Sequence, residues 1–275
     1  MKQLHETTCN WTGRTALITG ASSGIGAATA KLLASKGLHV ILAARRLENL
    51  EEIAEQIRNS GGESLVVVAD LSSSAGCEEL VRQLNQQHIL VDVLVNNAGF
   101  GWYGFYADMP WQTAEEMLQV NVHAVAHLTR LILPGMLERR YGHIVNIGSI
   151  AGGFPNQGVA VYSATKAFLD AFTTSLHREA RGSGVNVCVV RPGPVKTEFF
   201  QKTRTQPRSG SIPGEVFAVS AQQVAHTVWS LLERPRRVAY VPWFMSASAL
   251  IELIFSGVID RVGPLLLRKQ PKATG

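Results

Sequence analysis

From residue 14 to about residue 241 the chain repeats one unit: a short apolar run rich in β-branched residues, then a stretch of helical period. "TALIT" precedes "GAATAKLLASKG", "HVILAA" precedes "LENLEEIAEQIRNSGG", and "SLVVVAD" precedes "CEELVRQLNQQ". "DVLVNNAG" leads into one long helical stretch over roughly 113–139. "HIVNIGS" leads into "AVYSATKAFLDAFTTSLHREA", and "VNVCVVRPG" and "RVAYVP" complete the strands. Ser220 and Gln223 have the spacing of a capping box that opens "AQQVAHTVWSLLE". The strands are apolar at consecutive positions, so both of their faces must be covered. That dictates an α/β fold: a doubly wound parallel sheet of about seven strands with helices on both faces. No composition break, repeat or low-complexity segment divides residues 1–275, which are read as a single domain.

The totals narrow the function. The three cysteines, Cys9, Cys77 and Cys188, are far apart and lack CxxC spacing, so neither a disulfide framework nor a zinc site is indicated. A reducing, cytoplasmic compartment is expected. The start, "MKQLHETTCNWTGR", has no apolar core and carries Glu6, unlike a signal peptide. The formal net charge of +5 is uneven: residues 201–275 hold ten Lys/Arg against four Asp/Glu. The basic character therefore belongs to the tail, and no aromatic-interleaved basic stripe points to nucleic acid.

The turn after the first strand is "TGASSGIG", with Gly20, Gly24 and Gly26 ahead of a helix. Such a turn lets backbone N–H groups approach a pyrophosphate. It contains no lysine, which rules out a P-loop. The second strand ends "AARR". Sites that grip a ribose 2′-hydroxyl place a carboxylate there. Here Ala44 stands in that place and Arg45 follows, which suits a 2′-phosphate. "NNAG" (96–99) ends the fourth strand, across the switch-point crevice from the first.

Ser149 closes the fifth strand, and Tyr162 and Lys166 lie one turn apart on the next helix. A phenol titrates near 10, and an adjacent ammonium favours the phenolate, so the pair makes a tyrosine usable as a general acid or base. Taken alone, an i, i+4 Tyr/Lys pair is more often a core ring beside a solvated charge. His123 and His127 are also i, i+4, but with no third ligand spaced to join them; packing is expected, and no metal site. "GFGWYGFYADMPW" (99–111) either walls an apolar substrate pocket or packs under its own loop.

Together, "TGASSGIG", Asp70, "NNAG", Asn121, Ser149, "YSATK" and "RPGPVKT" resemble the short-chain dehydrogenase/reductase family in its compact, Rossmann-like form. The match runs in order over about residues 12–200. The resemblance implies an NADP(H)-dependent oxidoreductase interconverting a ketone and an alcohol. It implies that Tyr162 donates the proton, Ser149 bonds the substrate oxygen, Lys166 bonds the nicotinamide ribose, and Asn121 helps hold a proton-relaying water. For the cofactor it implies Gly20, Ser22, Ser23, Gly24, Ile25 and Gly26 at the phosphates, and Asp70 and Leu71 at the adenine. Asn97, Ala98 and Gly99 would lie along the adenosine side, and Pro192, Val195 and Thr197 at the nicotinamide end. Many NADP-dependent relatives carry a basic residue in the glycine loop where Ser22 and Ser23 stand, so the 2′-phosphate case rests on Arg45.

The aromatic loop and apolar tail lean toward a lipid-, steroid- or acyl-type substrate. A non-catalytic NADP-binding sensor or scaffold is the alternative, though a sensor needs no proton donor. A sugar-nucleotide epimerase-like enzyme is a third reading, but those usually carry a longer C-terminal domain. The irregular stretch 198–217 is either a substrate lid or unstructured chain. Residues 243–275 place Phe244, Leu250, Ile251, Leu253, Ile254, Phe255, Val258 and Ile259 at helical spacing beside a narrow polar stripe of Glu252, Ser256 and Asp260. The covers open to such a face are the domain's own pocket, a second subunit in a homo-oligomer (dimer or tetramer), or a membrane surface. The basic end would also suit an acyl carrier partner.

Overall fold

A computed structural model describes residues 10–196 and 218–268; in the last helix, the side chains of residues 249, 250, 252 and 262–268 are not described. Thr197, the stretch 198–217 and the tail beyond residue 268 thus lie outside the described residues, as do Cys9 and the Leu250 and Glu252 side chains.

The chain alternates as its sequence pattern demands. The strands are β1 (Thr15–Thr19), β2 (His39–Ala44), β3 (Ser64–Val68), β4 (Val93–Asn96), β5 (Gly142–Ile147), β6 (Val185–Pro192), β7 (Val195–Lys196), β8 (Val219–Ser220) and β9 (Val238–Val241). The helices are α1 (Gly24–Ser35), α2 (Leu47–Asn59), α3 (Ser74–Gln86), α4 (Trp111–Leu118), α5 (Ala124–Glu138), α6 (Ala160–Glu179), α7 (Ala221–Glu233) and α8 (Ser248–Arg268). Seven strands form one sheet in the order β3-β2-β1-β4-β5-β6-β9, and every pairing in it is parallel. The two-residue strands β7 and β8 pair separately. The order reverses between β1 and β4, so the loops leaving those two strands diverge and open a crevice at the carboxyl edge.

Both faces of the sheet are dry. Within β1, Ala16 and Ile18 join the layer that packs α1, α2 and α7, while Leu17 joins the layer that packs α3, α5 and α6; all three are fully buried. This is why the strands read as unbroken apolar runs. Two polar exceptions, Asn96 on β4 and Asn146 on β5, are joined to each other. Asn96 Nδ2 donates to Asn146 Oδ1 at 2.9 Å and to Thr129 Oγ1 at 3.2 Å, and Asn146 Nδ2 donates to Thr173 Oγ1 at 2.8 Å. These bonds register β4 and β5 against each other and against α5 and α6. The capping box at Ser220 and Gln223 forms as the sequence predicts.

The single helix expected over 113–139 is interrupted. Between α4 and α5, residues Gln119–His123 make a π-helical turn that contains the buried Asn121. Single π turns of this kind recur at functional sites.

At the other end of the chain, α8 follows a short 3₁₀ turn, Trp243–Ala247, and packs against it. Trp243, Phe244, Ile251, Leu253, Ile254, Phe255 and Val258 are exposed. Among the described residues, no helix is long and apolar enough to cross a membrane.

Candidate active site

The carboxyl ends of β1 and β4 are laced together by Thr19. Its Oγ1 accepts from the backbone N–H groups of Asn97 and Ala98, both at 3.0 Å. The Asn97 Nδ2 returns the contact, donating to Thr19 O at 2.9 Å and Gly20 O at 3.2 Å. Glycine is required here by geometry. A Cβ at Gly26 would lie 2.3 Å from Gly20 O, and one at Gly20, where φ is +64°, would lie 2.9 Å from Ala98 Cα. The two small-residue loops read from the sequence therefore flank one crevice, where α1 begins at Gly24. Ser23 precedes α1 without a side-chain cap, so its hydroxyl does not occupy the first-turn N–H groups. Ile25 packs on the core, as does Leu71, so a ligand contact from Leu71 would come from its backbone. Asp70 is exposed, and its Oδ1 accepts from Ser72 N at 3.0 Å.

The two arginines after β2 take different directions. Arg45 Nη1 bonds Glu116 Oε1 at 2.9 Å, in an exposed pair. Arg46 Nη2 donates to Ser22 Oγ at 3.1 Å and Ser23 Oγ at 2.9 Å. The cation that reaches the glycine loop is therefore Arg46, not Arg45. Sequence position alone does not separate neighbours whose side chains leave a strand end on opposite sides.

The second half of the site lies at the ends of β5 and β6. Ser149 caps the 3₁₀ turn Ile150–Gly152, its Oγ accepting from Ala151 N at 3.1 Å, and it shares a hydrogen bond with the Tyr162 phenol. Lys166 is buried and its Nζ donates to Ile147 O at 2.9 Å, with Nζ 5.6 Å from the centroid of the Tyr162 ring. Asn121 clamps the loop after β4: its Oδ1 accepts from Phe100 N at 3.1 Å and its Nδ2 donates to Phe100 O at 2.9 Å. It also donates to Thr165 Oγ1 at 3.1 Å, beside Lys166. A Cβ at Gly99 would lie 2.9 Å from Asn121 Oδ1 and 3.8 Å from Lys166 Nζ, so Gly99 keeps this corner open. Pro192 and Val195 are buried at the carboxyl end of β6, and Pro192 pairs with Val241.

The electrostatics correct one expectation. Although the Tyr162 ring keeps some solvent exposure, the atoms packed around its hydroxyl push the phenol up to about 12, against the opposing pull of the Ser149 hydrogen bond. Burial also draws the Lys166 ammonium down to about 8, and the nearby Asp170 carboxylate resists this. The phenol is thus raised rather than lowered in this setting, because burial outweighs the Ser149 hydrogen bond. A phenol so placed carries its proton throughout the neutral range, the state a proton donor requires.

His123 and His127 stack edge-on at 5.4 Å and turn to Ser74 and Glu78 respectively. Among the described residues, no group of three or more His, Cys, Asp and Glu is placed to hold a metal ion. Sequence reasoning passed over Thr19, Thr165 and the pair of Asp170 with Arg191. A hydroxyl or a charge inside an otherwise apolar strand or helix face was the available signal.

Comparison with known proteins agrees with this fold. The chain is 39% identical over 192 residues to the very-long-chain 3-oxoacyl-CoA reductase of Anas platyrhynchos, an alignment covering 68% of this chain and 61% of that one. It is 33% identical over 229 residues to the NADP-dependent 3-hydroxy acid dehydrogenase of Escherichia coli, covering 81% and 90%. The short-chain dehydrogenase from Sphingobium yanoikuyae, solved in complex with NADPH, superposes with a TM-score of 0.77 at 27% identity, covering 95% of this chain and 98% of its own. The family model for short chain dehydrogenases matches residues 14–208, most of the described sheet, and the chain belongs to that family of oxidoreductases.

Proposed function

We propose that the protein is an NADP(H)-dependent oxidoreductase that interconverts a ketone and an alcohol, with Tyr162 as general acid in the reducing direction. The observation that carries this is the Ser149–Tyr162 hydrogen bond, with the buried Lys166 one turn along, at the same sheet edge as the glycine loop. NADP(H), when bound, supplies the hydride. The chain's residues supply the rest. Gly20, Gly24 and Gly26 admit the pyrophosphate against the start of α1, and Arg46 with Ser22 and Ser23 is arranged for a phosphate on the adenosine ribose. Lys166 holds the nicotinamide ribose. Ser149 accepts or donates a hydrogen bond at the substrate oxygen, and the Tyr162 phenol transfers its proton there as the carbonyl carbon is reduced. Fixing both reactants against these groups removes much of the entropic barrier.

The substrate is read as apolar. A small apolar cavity beside Tyr162 is lined by Trp102, Met109, Met117 and Val159. Trp102 and Tyr103 are buried while Tyr106 and Trp111 are exposed, so the loop after β4 both walls the site and presents aromatic surface at its mouth. The exposed apolar face of α8 points to a covering partner, and a second copy of the chain is the reading we favour.

The test is loss of NADPH absorbance across a panel of apolar ketones and 3-oxoacyl thioesters. Turnover is expected on at least one class. NADPH binding with no turnover on the whole panel would favour a sensor instead.

A further inference from the structure

The helix that carries Tyr162 and Lys166 places a third ionisable residue at the next i+4 step. Asp170 lies one turn beyond Lys166 on α6 and is 8% exposed. Carboxylates are rarely buried unless paired, and this one is held. Arg191, on β6, donates from Nε to Asp170 Oδ1 at 2.8 Å, and both side chains are largely shielded from water. The same guanidinium donates from Nη1 to the Tyr240 hydroxyl on β9. The chain also makes room for the carboxylate. A Cβ at Gly152 would lie 2.5 Å from Asp170 Oδ2, and one at Gly148 would lie 3.6 Å from Oδ1. Gly148 and Gly152 bracket Ser149, so the carboxylate lies against the turn that presents the serine. Its Oδ2 has no hydrogen-bond partner among the described residues.

We propose that Asp170 is a positioning residue for the reaction: a buried carboxylate, anchored by Arg191, that holds Lys166 as an ammonium beside Tyr162. This rests on the function proposed above. Lys166 is shut away from water, and desolvation works against its charge. Asp170 is the charge that opposes this, and the groups that Lys166 Nζ is seen to meet, the Ile147 carbonyl and the Tyr162 ring, are uncharged. Burial likewise raises the Asp170 carboxyl above the usual carboxylate value, and Arg191 and Lys166 both pull it back. The cations on α6 and β6 and the carboxylate between them therefore sustain one another. Tyr240 satisfies the guanidinium from the far side.

The sign follows. Without the carboxylate, Lys166 sheds its proton at lower pH, so any activity that needs the ammonium fails earlier on the alkaline side. Asp170→Asn keeps the shape and removes the charge. Two readouts separate this proposal from the reading beneath it. The first is the Lys166 titration followed by NMR with ¹³Cε-labelled lysine, assigned by loss of the signal in Lys166→Arg; it needs neither cofactor nor substrate. The Lys166 midpoint is expected to fall by about one pH unit in Asp170→Asn, and Asp170→Glu should restore it. The second is the alkaline limb of kcat for NADPH-dependent reduction, which should shift the same way. If the parent reduces no ketone, the proposed function fails while the NMR arm still decides on Asp170. Should Asp170→Asn not fold, because Arg191 is left buried without its partner, the double variant Asp170→Asn/Arg191→Gln removes both charges; because a cation goes with the carboxylate, its Lys166 midpoint should fall less than in Asp170→Asn but still lie below the parent's. A folded variant whose Lys166 midpoint matches the parent's overturns the proposal. So does a shifted midpoint with an unmoved kcat limb.

Discussion

Replacing Arg46 by alanine should separate the two nicotinamide cofactors. The Arg46 guanidinium already faces the Ser22 and Ser23 hydroxyls at 3.1 and 2.9 Å, so it sits over the loop where the adenosine ribose would enter. A charge-assisted hydrogen bond contributes about 1.5–3 kcal/mol. Loss of one such contact to a 2′-phosphate corresponds to roughly a 10- to 150-fold weaker Kd for NADPH. NADH has no phosphate there and should change by no more than about threefold on the same argument. Arg45 is engaged with Glu116 in an exposed ion pair, an arrangement worth about 0–1 kcal/mol and easily broken. Arg45→Ala should therefore weaken NADPH less than Arg46→Ala does. Nucleotide fluorescence titrated against each variant, at one fixed ionic strength, measures all four constants. If Arg46→Ala binds NADPH as the parent does, or if both nucleotides weaken equally, the assignment of Arg46 to the phosphate is wrong.

Gly26→Ala places a Cβ 2.3 Å from Gly20 O and 2.6 Å from Asn97 Nδ2; it should cost about 1–3 kcal/mol in urea unfolding and weaken nucleotide binding. Asn121→Ala leaves the Phe100 N–H and C=O without the clamp, so a loss of about 1–3 kcal/mol and a fall in kcat are expected from denaturation and turnover assays. His143 is buried between Trp11 and Tyr141 and its titration is pushed down from 6.5 to about 4 by desolvation. The unfolded chain therefore binds more protons between those values, and stability should fall by up to about 3 kcal/mol as pH drops through that window; His143→Gln should flatten this part of the stability–pH curve. Truncation after residue 242 should lower the number of copies per particle measured by light scattering, whereas an unchanged oligomer with loss of liposome flotation would assign α8 to a membrane surface.

The fold was legible because its cause is local. β1 and β2 begin and end where the apolar runs do, and α7 follows its capping box residue for residue. The site was legible in its residue types, but less so in its geometry. Asn121 reads as an ordinary mid-helix residue, because nothing in residue type distinguishes a π turn from an α turn; the turn is stabilised by bonds to Phe100, some twenty residues back. Arg45 and Arg46 are adjacent, and only packing against Glu116 and against Ser22 tells them apart. Leu71 faces the core because α3 lies over it, a tertiary fact. The Tyr162–Lys166 coupling was read with the right partners and the wrong balance. Spacing reports the neighbouring charge but not the burial, and burial is what raises the phenol and lowers the ammonium.

The central claim is that Tyr162 transfers the proton in a hydride-transfer reaction. Tyr162→Phe tests it most directly, because the ring and its packing remain while the transferable proton goes. With a ketone that the parent reduces, kcat measured at 340 nm should fall by about 10²–10⁴-fold, and NADPH should still bind within a few-fold of the parent's Kd. A Tyr162→Phe protein that retains near-parental kcat would contradict the account.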